Sequence, residues 1–366
     1  MKTATITYHD VYNYGAVLQA YALQQALLNL SIENVIIDYT PKQNYTYQKI
    51  PGRSLKIFII NIIRLMLTIK NYYSIKKRHK NFEKFIKKNL KLTRKYNTRN
   101  ELLLDPPKAD IYITGSDQLW NVSREVKRYF FLDFGNREIK RISYAVSMGS
   151  SVVPAHLQPQ IRELLNEFTA ISVRELETRQ YLEELLEHRN FVLQHMDPVF
   201  LLNKETWSAF SRMKTLPYPY ILCYPMSGHP LLSGAIKRLR ELTGCKVVVL
   251  TSEITFLKGD VMIKSASVEE FVNLFQNAEY ILTTSFHGTA FSAIFNKKFF
   301  SFLGNSAPGR ITGLLTQLEL QCRIINNLEE ITTQEIDYNK TNLIIEENRQ
   351  KAIEYLNSFK ELTQVE

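Results

Sequence analysis

The chain has 366 residues, of which 45% are hydrophobic, and carries 46 Lys+Arg against 36 Asp+Glu for a formal net charge of +10. This length and apolar content suit two domains of ordinary size. The opening MKTATITYHD lacks the basic start and apolar stretch of a secretory signal, and no apolar run reaches the ~18 residues of a membrane span, so a cytoplasmic protein is expected.

TATITYHDVYNYGAVLQAYALQQALLNL predicts a short strand, a loop from His9 to Gly15 and a helix, and NVIIDYT predicts a second strand. This β-loop-α-β opening points to a parallel sheet. Between Arg53 and Arg99 stand 15 Lys+Arg and a single acid, Glu83. Within that block SLKIFIINIIRLMLTIKNYY predicts a helix whose polar residues Asn61, Arg64 and Thr68 form one narrow wet edge, beside a wide apolar arc. KKRHKNFEKFIKKNLK follows as a cationic helix with a stripe of Phe82, Phe85, Ile86 and Leu90. Two readings fit: core helices with a solvated basic face, or docking on an anionic membrane surface. Nucleic acid is disfavoured, because no recognisable reader motif accompanies the block.

ADIYITGSDQLWN, RISYAVSMGSS, AISV and FVLQHMDPVFLL continue the first half as strands, with helices between. The second half restarts after a boundary near residue 203 with YILCYPMSG, CKVVVLTS and DVMIKSA, then a helix over SVEEFVNLFQNA. EYILTTSFHGTAFSAIFN, KKFFSFLG, the loop NSAPGR, the helix ITGLLTQLEL, CRIIN and a long terminal helix from about Tyr338 to Leu362 complete it. The expected organisation is residues 1–203, with the basic helices inserted at about 54–95, followed by 204–366.

Open α/β sheets bind ligands beyond the carboxyl ends of their strands. Four turns fit that rule: HDVYNYG, GSDQ and SVRE in the first half, TSFHG in the second. A cleft between the halves follows. In TSFHG a strand hands over to a helix, whose start offers N–H groups and positive dipole character to an anion beside His287. Ser285 and Gly288 belong to that turn, and His287 is either a proton carrier or a satisfied core histidine. Arg174 is a guanidinium fork for a carboxylate or phosphate, or half of a structural ion pair. Asp117 caps the segment after it or takes a proton from a sugar hydroxyl. Asn13, Tyr14 and Gly15 suit a turn for backbone reasons and equally an anion or sugar contact. Arg310, at a helix start, is a surface residue or faces an anion.

His195 and Asp197 in QHMDP read as a structural strand end. The histidines form no ligand cluster, and Cys223, Cys245 and Cys322 are too far apart for a metal knuckle, so no metal is expected. P-loop, G-x-G-x-x-G and G-x-S-x-G motifs are all missing from the chain, against a P-loop NTPase, a simple dinucleotide enzyme and an elbow hydrolase.

Taken in order, NYGAVLQAYALQQAL, DIYITGSDQLWN, ISYAVSMGSS, ISVRE, DPVFLL and TTSFHGTAFSAIFNKKFF resemble the polysaccharide pyruvyl transferase family. The resemblance runs from about Ala4 to the last helix, interrupted mainly by the basic helices. It implies two Rossmann-like domains in a GT-B-like arrangement with an interdomain cleft. The implied activity is transfer of pyruvyl from phosphoenolpyruvate, as a ketal, to a sugar such as galactose of a bacterial surface polysaccharide or its lipid-diphosphate-linked precursor. His287 is then the acid/base and Arg174 a donor anchor, with neither redox cofactor nor metal in the scheme. Some members carry an arginine two places before the histidine, in RLH, where this chain has Ser285-Phe286-His287; Arg310 or Lys297 is the expected replacement. The alternatives are a GT-B glycosyltransferase using a nucleotide sugar and a carbohydrate-binding protein without enzymatic activity.

Overall fold

Eleven strands, read in a computed structural model that describes residues 1–39, 54–123, 125–149, 152–187, 192–251, 255, 257–304 and 308–362, form two parallel sheets. Residues 305–307 of the expected NSAPGR loop, 150–151 of the MGSS turn and Arg53 lie outside the described residues. The first sheet is built from β1 (Lys2–Ile6), β2 (Glu33–Ile36), β3 (Ile111–Asp117), β4 (Lys140–Val146), β5 (Ile171–Val173) and β6 (Val192–Gln194), in the order β2-β1-β3-β4-β5-β6. The second uses β7 (Tyr220–Tyr224), β8 (Lys246–Leu250), β9 (Val261–Ile263), β10 (Tyr280–Thr283) and β11 (Lys298–Ser301), in the order β11-β10-β7-β8-β9.

Helices cover both faces of each sheet, so the strands read as unbroken apolar runs; β7 and β10 are buried at every position. The α/β architecture of two parallel sheets expected from the sequence is therefore present. In each sheet the strand order reverses once, between β1 and β3 and between β7 and β10. The chain leaving these four strands splays apart at the reversal and leaves a crevice there. Asp117 is the last residue of β3, and Asn13, Ser227 and His287 follow the ends of β1, β7 and β10.

The terminal helix Asn339–Leu362 joins the halves. Ile345 packs in the cluster that covers one face of the second sheet, with Leu222, Val248 and Ile281, whereas Tyr355, Leu356 and Phe359 pack with Leu27, Ile113 and Tyr144 of the first half. Tyr355 donates its hydroxyl to the Ser143 carbonyl at 2.8 Å.

The two basic-block helices occupy Leu55–Lys70 and Tyr72–Asn89. The expected stripe of Phe82, Phe85, Ile86 and Leu90 is buried. The preceding helix corrects its expectation at Asn61, assigned to the wet edge but 6% exposed, while Phe58 and Met66 are 61% and 65% exposed; the side chains of Arg64 and Thr68 lie outside those described. The aromatic stripe of the second helix already closes the core beneath, and no described residue of Leu55–Lys70 joins a core cluster.

His195 is the satisfied core side chain its strand-end position implied. Its ring stacks on Tyr355 (centroids 4.7 Å) and lies near-parallel to Tyr144 (5.8 Å), and Nδ1 is 2.8 Å from Ser172 Oγ. Burial pushes its pKa down to about 4 from 6.5. Because the folded value lies below the unfolded one, this residue's stabilisation is complete above pH 6.5 and is lost as pH falls through 4. The loss is about 3 kcal/mol at the limit. Urea unfolding at pH 7 and pH 4.5 should therefore show a larger drop for the wild type than for His195→Phe, which has nothing to titrate there.

Candidate active site

His287 stands where β10 gives way to the helix Phe286–Ile294. Ser285 is extended and caps this helix, its Oγ accepting the Gly288 N–H at 3.2 Å, while Thr283 Oγ1 accepts the Ser285 N–H at 3.1 Å. A Cβ on Gly288 would fall 2.3 Å from Thr283 Oγ1, so glycine lets the helix sit down on its own strand. These contacts correct part of the sequence reading. The Gly288 N–H expected to face an anion is taken by the cap, and Ser285 spends its acceptor there.

The imidazole is held between the two halves. On one side the first helix, Tyr14–Asn29, approaches so closely that a Cβ on Gly15 would stand 2.0 Å from His287 Nδ1. On the other, Nε2 is 3.5 Å from Asp197 Oδ2, within ion-pair reach but without a hydrogen bond. Asp197 follows β6, and its side chain is sealed from solvent. Its Oδ1 accepts the Val199 N–H at 3.1 Å and its Oδ2 accepts from Arg174 Nη1 at 2.7 Å. Burial alone would raise this carboxyl, but His287, Arg174 and the Val199 N–H outweigh it and hold the pKa at about 2. Asp197 is thus an anion at any physiological pH.

Arg174 Nε donates to Glu175 Oε1 at 3.1 Å, and the guanidinium lies 4.2 Å from the centre of the Phe286 ring. Burial would lower its pKa, but Glu175, Asp197 and Asp117 reverse the direction and raise it. Arg310 starts the helix Gly309–Gln317; burial and then the neighbouring Arg174 charge lower its pKa, against the pull of Asp117 and Glu175. Its Nη1 and Nη2 donate to the Gln118 amide oxygen at 2.8 and 2.9 Å. Buried nitrogens of this site without a hydrogen-bond partner among the described residues include Arg174 Nη2, Arg310 Nε and His287 Nε2. Unpaired buried donors of this kind are costly, and an anionic ligand would satisfy them.

Two adjoining cavities meet here. One, of about 220 Å³, is lined by Asn13, Asp117, Gln118, Ser285, His287 and Arg310 among others. The second, of about 230 Å³, is bordered by Arg174, Glu175, Asp197 and Thr316 and shares Phe286 and Arg310 with the first. An open groove of about 390 Å³ continues past Asn13 and Asp117 to Tyr8, Tyr12 and Arg78. Asn13 also caps the first helix, with Oδ1 accepting the Ala16 N–H at 3.3 Å, and Asp117 Oδ1 accepts the Gln118 N–H at 2.8 Å.

Of the sequence candidates, the structure brings His287, Arg174, Arg310, Asp117, Asn13 and Gly15 together. Tyr14 is a correction: its hydroxyl donates to the Ala266 carbonyl at 2.8 Å and its ring stacks on Phe271 at 4.6 Å, so it is core between the halves. Lys297 follows the far end of the nine-residue His287 helix, roughly 14 Å of helix away, whereas Arg310 borders both cavities. Sequence reasoning passed over Gln118 and Phe286, and read Asp197 as a structural strand end rather than part of the site. For Asp197 a signal existed: an acid set between Met196 and Pro198-Val199-Phe200 is headed for burial, and a buried carboxylate requires a cation. No group of three or more His, Cys, Asp or Glu with metal-ligand geometry occurs among the described residues.

The family described as polysaccharide pyruvyl transferase matches residues 13–306, most of the chain. No curated protein matches it significantly. Similar solved structures include a UDP-GlcNAc 2-epimerase from Methanocaldococcus jannaschii, 14% identical, with 98% of this chain and 93% of that one covered and a TM-score of 0.48. The UDP-GlcNAc 2-epimerase from Neisseria meningitidis is 12% identical, with 100% and 95% covered and a TM-score of 0.45. A heptosyltransferase from E. coli is 11% identical, with 95% and 100% covered and a TM-score of 0.45.

Proposed function

Because the chain belongs to the polysaccharide pyruvyl transferase family, a transferase family, we propose that its cleft moves pyruvyl from phosphoenolpyruvate to two hydroxyls of one sugar residue, closing a ketal. The observation that carries this reading is the single Asp197 oxygen beside both Arg174 and His287, which ties a fixed cation of the first half to a proton carrier of the second.

Phosphoenolpyruvate presents a carboxylate and a phosphate, and the free donors of Arg174 and Arg310 suit such a dianionic ligand. His287 delivers a proton to the methylene carbon, which becomes a methyl group and leaves C2 electrophilic. A sugar hydroxyl then attacks C2 and releases its proton to Asp117. The C2–O bond to phosphate breaks, inorganic phosphate leaves with the bonding pair and takes the proton held on Asp117, and the second hydroxyl closes the ketal as it passes its own proton to His287. The arginines stabilise the charge gathering on the departing phosphate. This scheme calls for neither a redox cofactor nor a metal. The acceptor we favour is a galactose unit of a bacterial surface polysaccharide, carried on a lipid diphosphate at the inner membrane face.

Purified protein incubated with phosphoenolpyruvate and a panel of galactose-containing acceptors should release phosphate and give a product heavier by a pyruvate ketal. His287→Ala should cut that rate by about 10²–10⁴-fold. Arg174→Lys keeps the charge but loses the fork, and should raise the KM for phosphoenolpyruvate. Stabilisation by a nucleotide sugar but not by phosphoenolpyruvate in a thermal melt would instead mark a glycosyltransferase.

A further inference from the structure

We propose that the helix Leu55–Lys70 is an interfacial anchor that lies in the headgroup region of an anionic bilayer. Leu55, Phe58, Ile59, Ile62, Leu65, Met66 and Ile69 recur at spacings of three and four, so they share one face, and all of them are exposed. Leu55 at 74% and Ile69 at 66% exposure mark the two ends of this stripe. Among its described side chains this helix buries its asparagine and offers seven large apolar groups to the outside, the opposite of an ordinary surface helix.

Charge selects the occupant. The exposed positions of the next helix include Lys76, Lys77, Lys80, Lys84, Lys87 and Lys88, with Glu83 the one acid. Two copies of this chain meeting through the stripe would bring two such cationic helices together, whereas an anionic lipid surface attracts both features at once. Tyr72 and Tyr73, exposed at the junction, are of the type that settles at a headgroup boundary. The helix has 16 residues, about 24 Å in length, and no helix among the described residues is long and apolar enough to cross a membrane. It therefore lies along the surface. The basic helix also carries Arg78 into the groove that adjoins the His287 cavity, so docking would hold that groove near the bilayer. Presentation of a lipid-linked acceptor by this route rests on the proposed function; the docking itself does not.

Co-sedimentation with vesicles of phosphatidylcholine alone and of phosphatidylcholine with 30% phosphatidylglycerol tests it. The wild type should bind the anionic vesicles at least about tenfold more tightly, and less so in high salt. Phe58→Glu/Met66→Glu, both at exposed positions, should lose that binding at least about tenfold while keeping the thermal melt and turnover on a soluble acceptor. Two results would overturn the inference: equal sedimentation of wild type and variant, or a wild-type dimer in sedimentation velocity that the double variant dissolves. Failure of pyruvyl transfer in every assay would leave the vesicle result standing, so the two proposals fail separately.

Discussion

Asp197→Ala is expected to lose measurable turnover and about 3–5 kcal/mol of folding stability, whereas Asp197→Asn should fold nearly as well and still turn over at least about a hundredfold more slowly. The alanine variant leaves the Arg174 guanidinium buried with Glu175 as its remaining hydrogen-bonded anion and strips the Val199 N–H of its acceptor. Removing one partner of a buried pair strands the other, and the stranded charge accounts for most of the cost. Asparagine can still accept from Val199 and occupy the same volume. What it removes is the negative charge 3.5 Å from His287 Nε2, and with it the electrostatic tie between the halves. Urea unfolding at pH 7 measures the first effect, and phosphate release from phosphoenolpyruvate measures the second. Full turnover by the asparagine variant would reduce Asp197 to a packing residue. The wild type carries a linked signature. Asp197 is depressed to about 2 from 3.8, so its stabilisation is intact above pH 3.8 and disappears as pH falls through 2, a window below the one in which His195 acts.

What the sequence disclosed, and what it withheld, follows from the range of the forces involved. Parallel strands buried on both faces write themselves as apolar runs, so β7 and β10 were visible without coordinates. The His287 turn was visible for the same local reason: a strand end, a serine cap and a glycine stand within nine residues. Tyr14 was misplaced because neighbours on a helix point about 100° apart, so residues beside Asn13 and Gly15 need not share their surroundings. Asp197 was undervalued because its meaning lies in Arg174, 23 residues away, and in His287 from the other half of the chain. The Leu55–Lys70 helix shows a different limit. Amphipathic spacing tells that two faces differ but not which one meets the protein, and here the following helix had already filled the core.

Gly15→Ala should leave the fold intact and take most of the activity with it, an outcome that helix propensity alone would not foretell. Gly15 sits in the first turn of the helix Tyr14–Asn29, where alanine is the better helix former by about 1 kcal/mol. Yet its ideal Cβ would lie 2.0 Å from Nδ1, 2.3 Å from Cγ and 2.5 Å from Cε1 of His287, well inside van der Waals contact with the ring's root as well as its edge. The imidazole must swing away, and its position between the first helix and Asp197 is lost. A double-mutant cycle separates this from general damage. In the wild-type background the propensity gain and the clash oppose one another, and the net change in stability should be small or unfavourable. In the His287→Ala background the ring is gone, and the same Gly15→Ala change should stabilise by up to about 1 kcal/mol. Turnover is read in the single variant, where a fall of at least about a hundredfold is expected from the displaced acid/base. Identical stability changes in the two backgrounds, together with undiminished turnover, would show that this helix does not position His287.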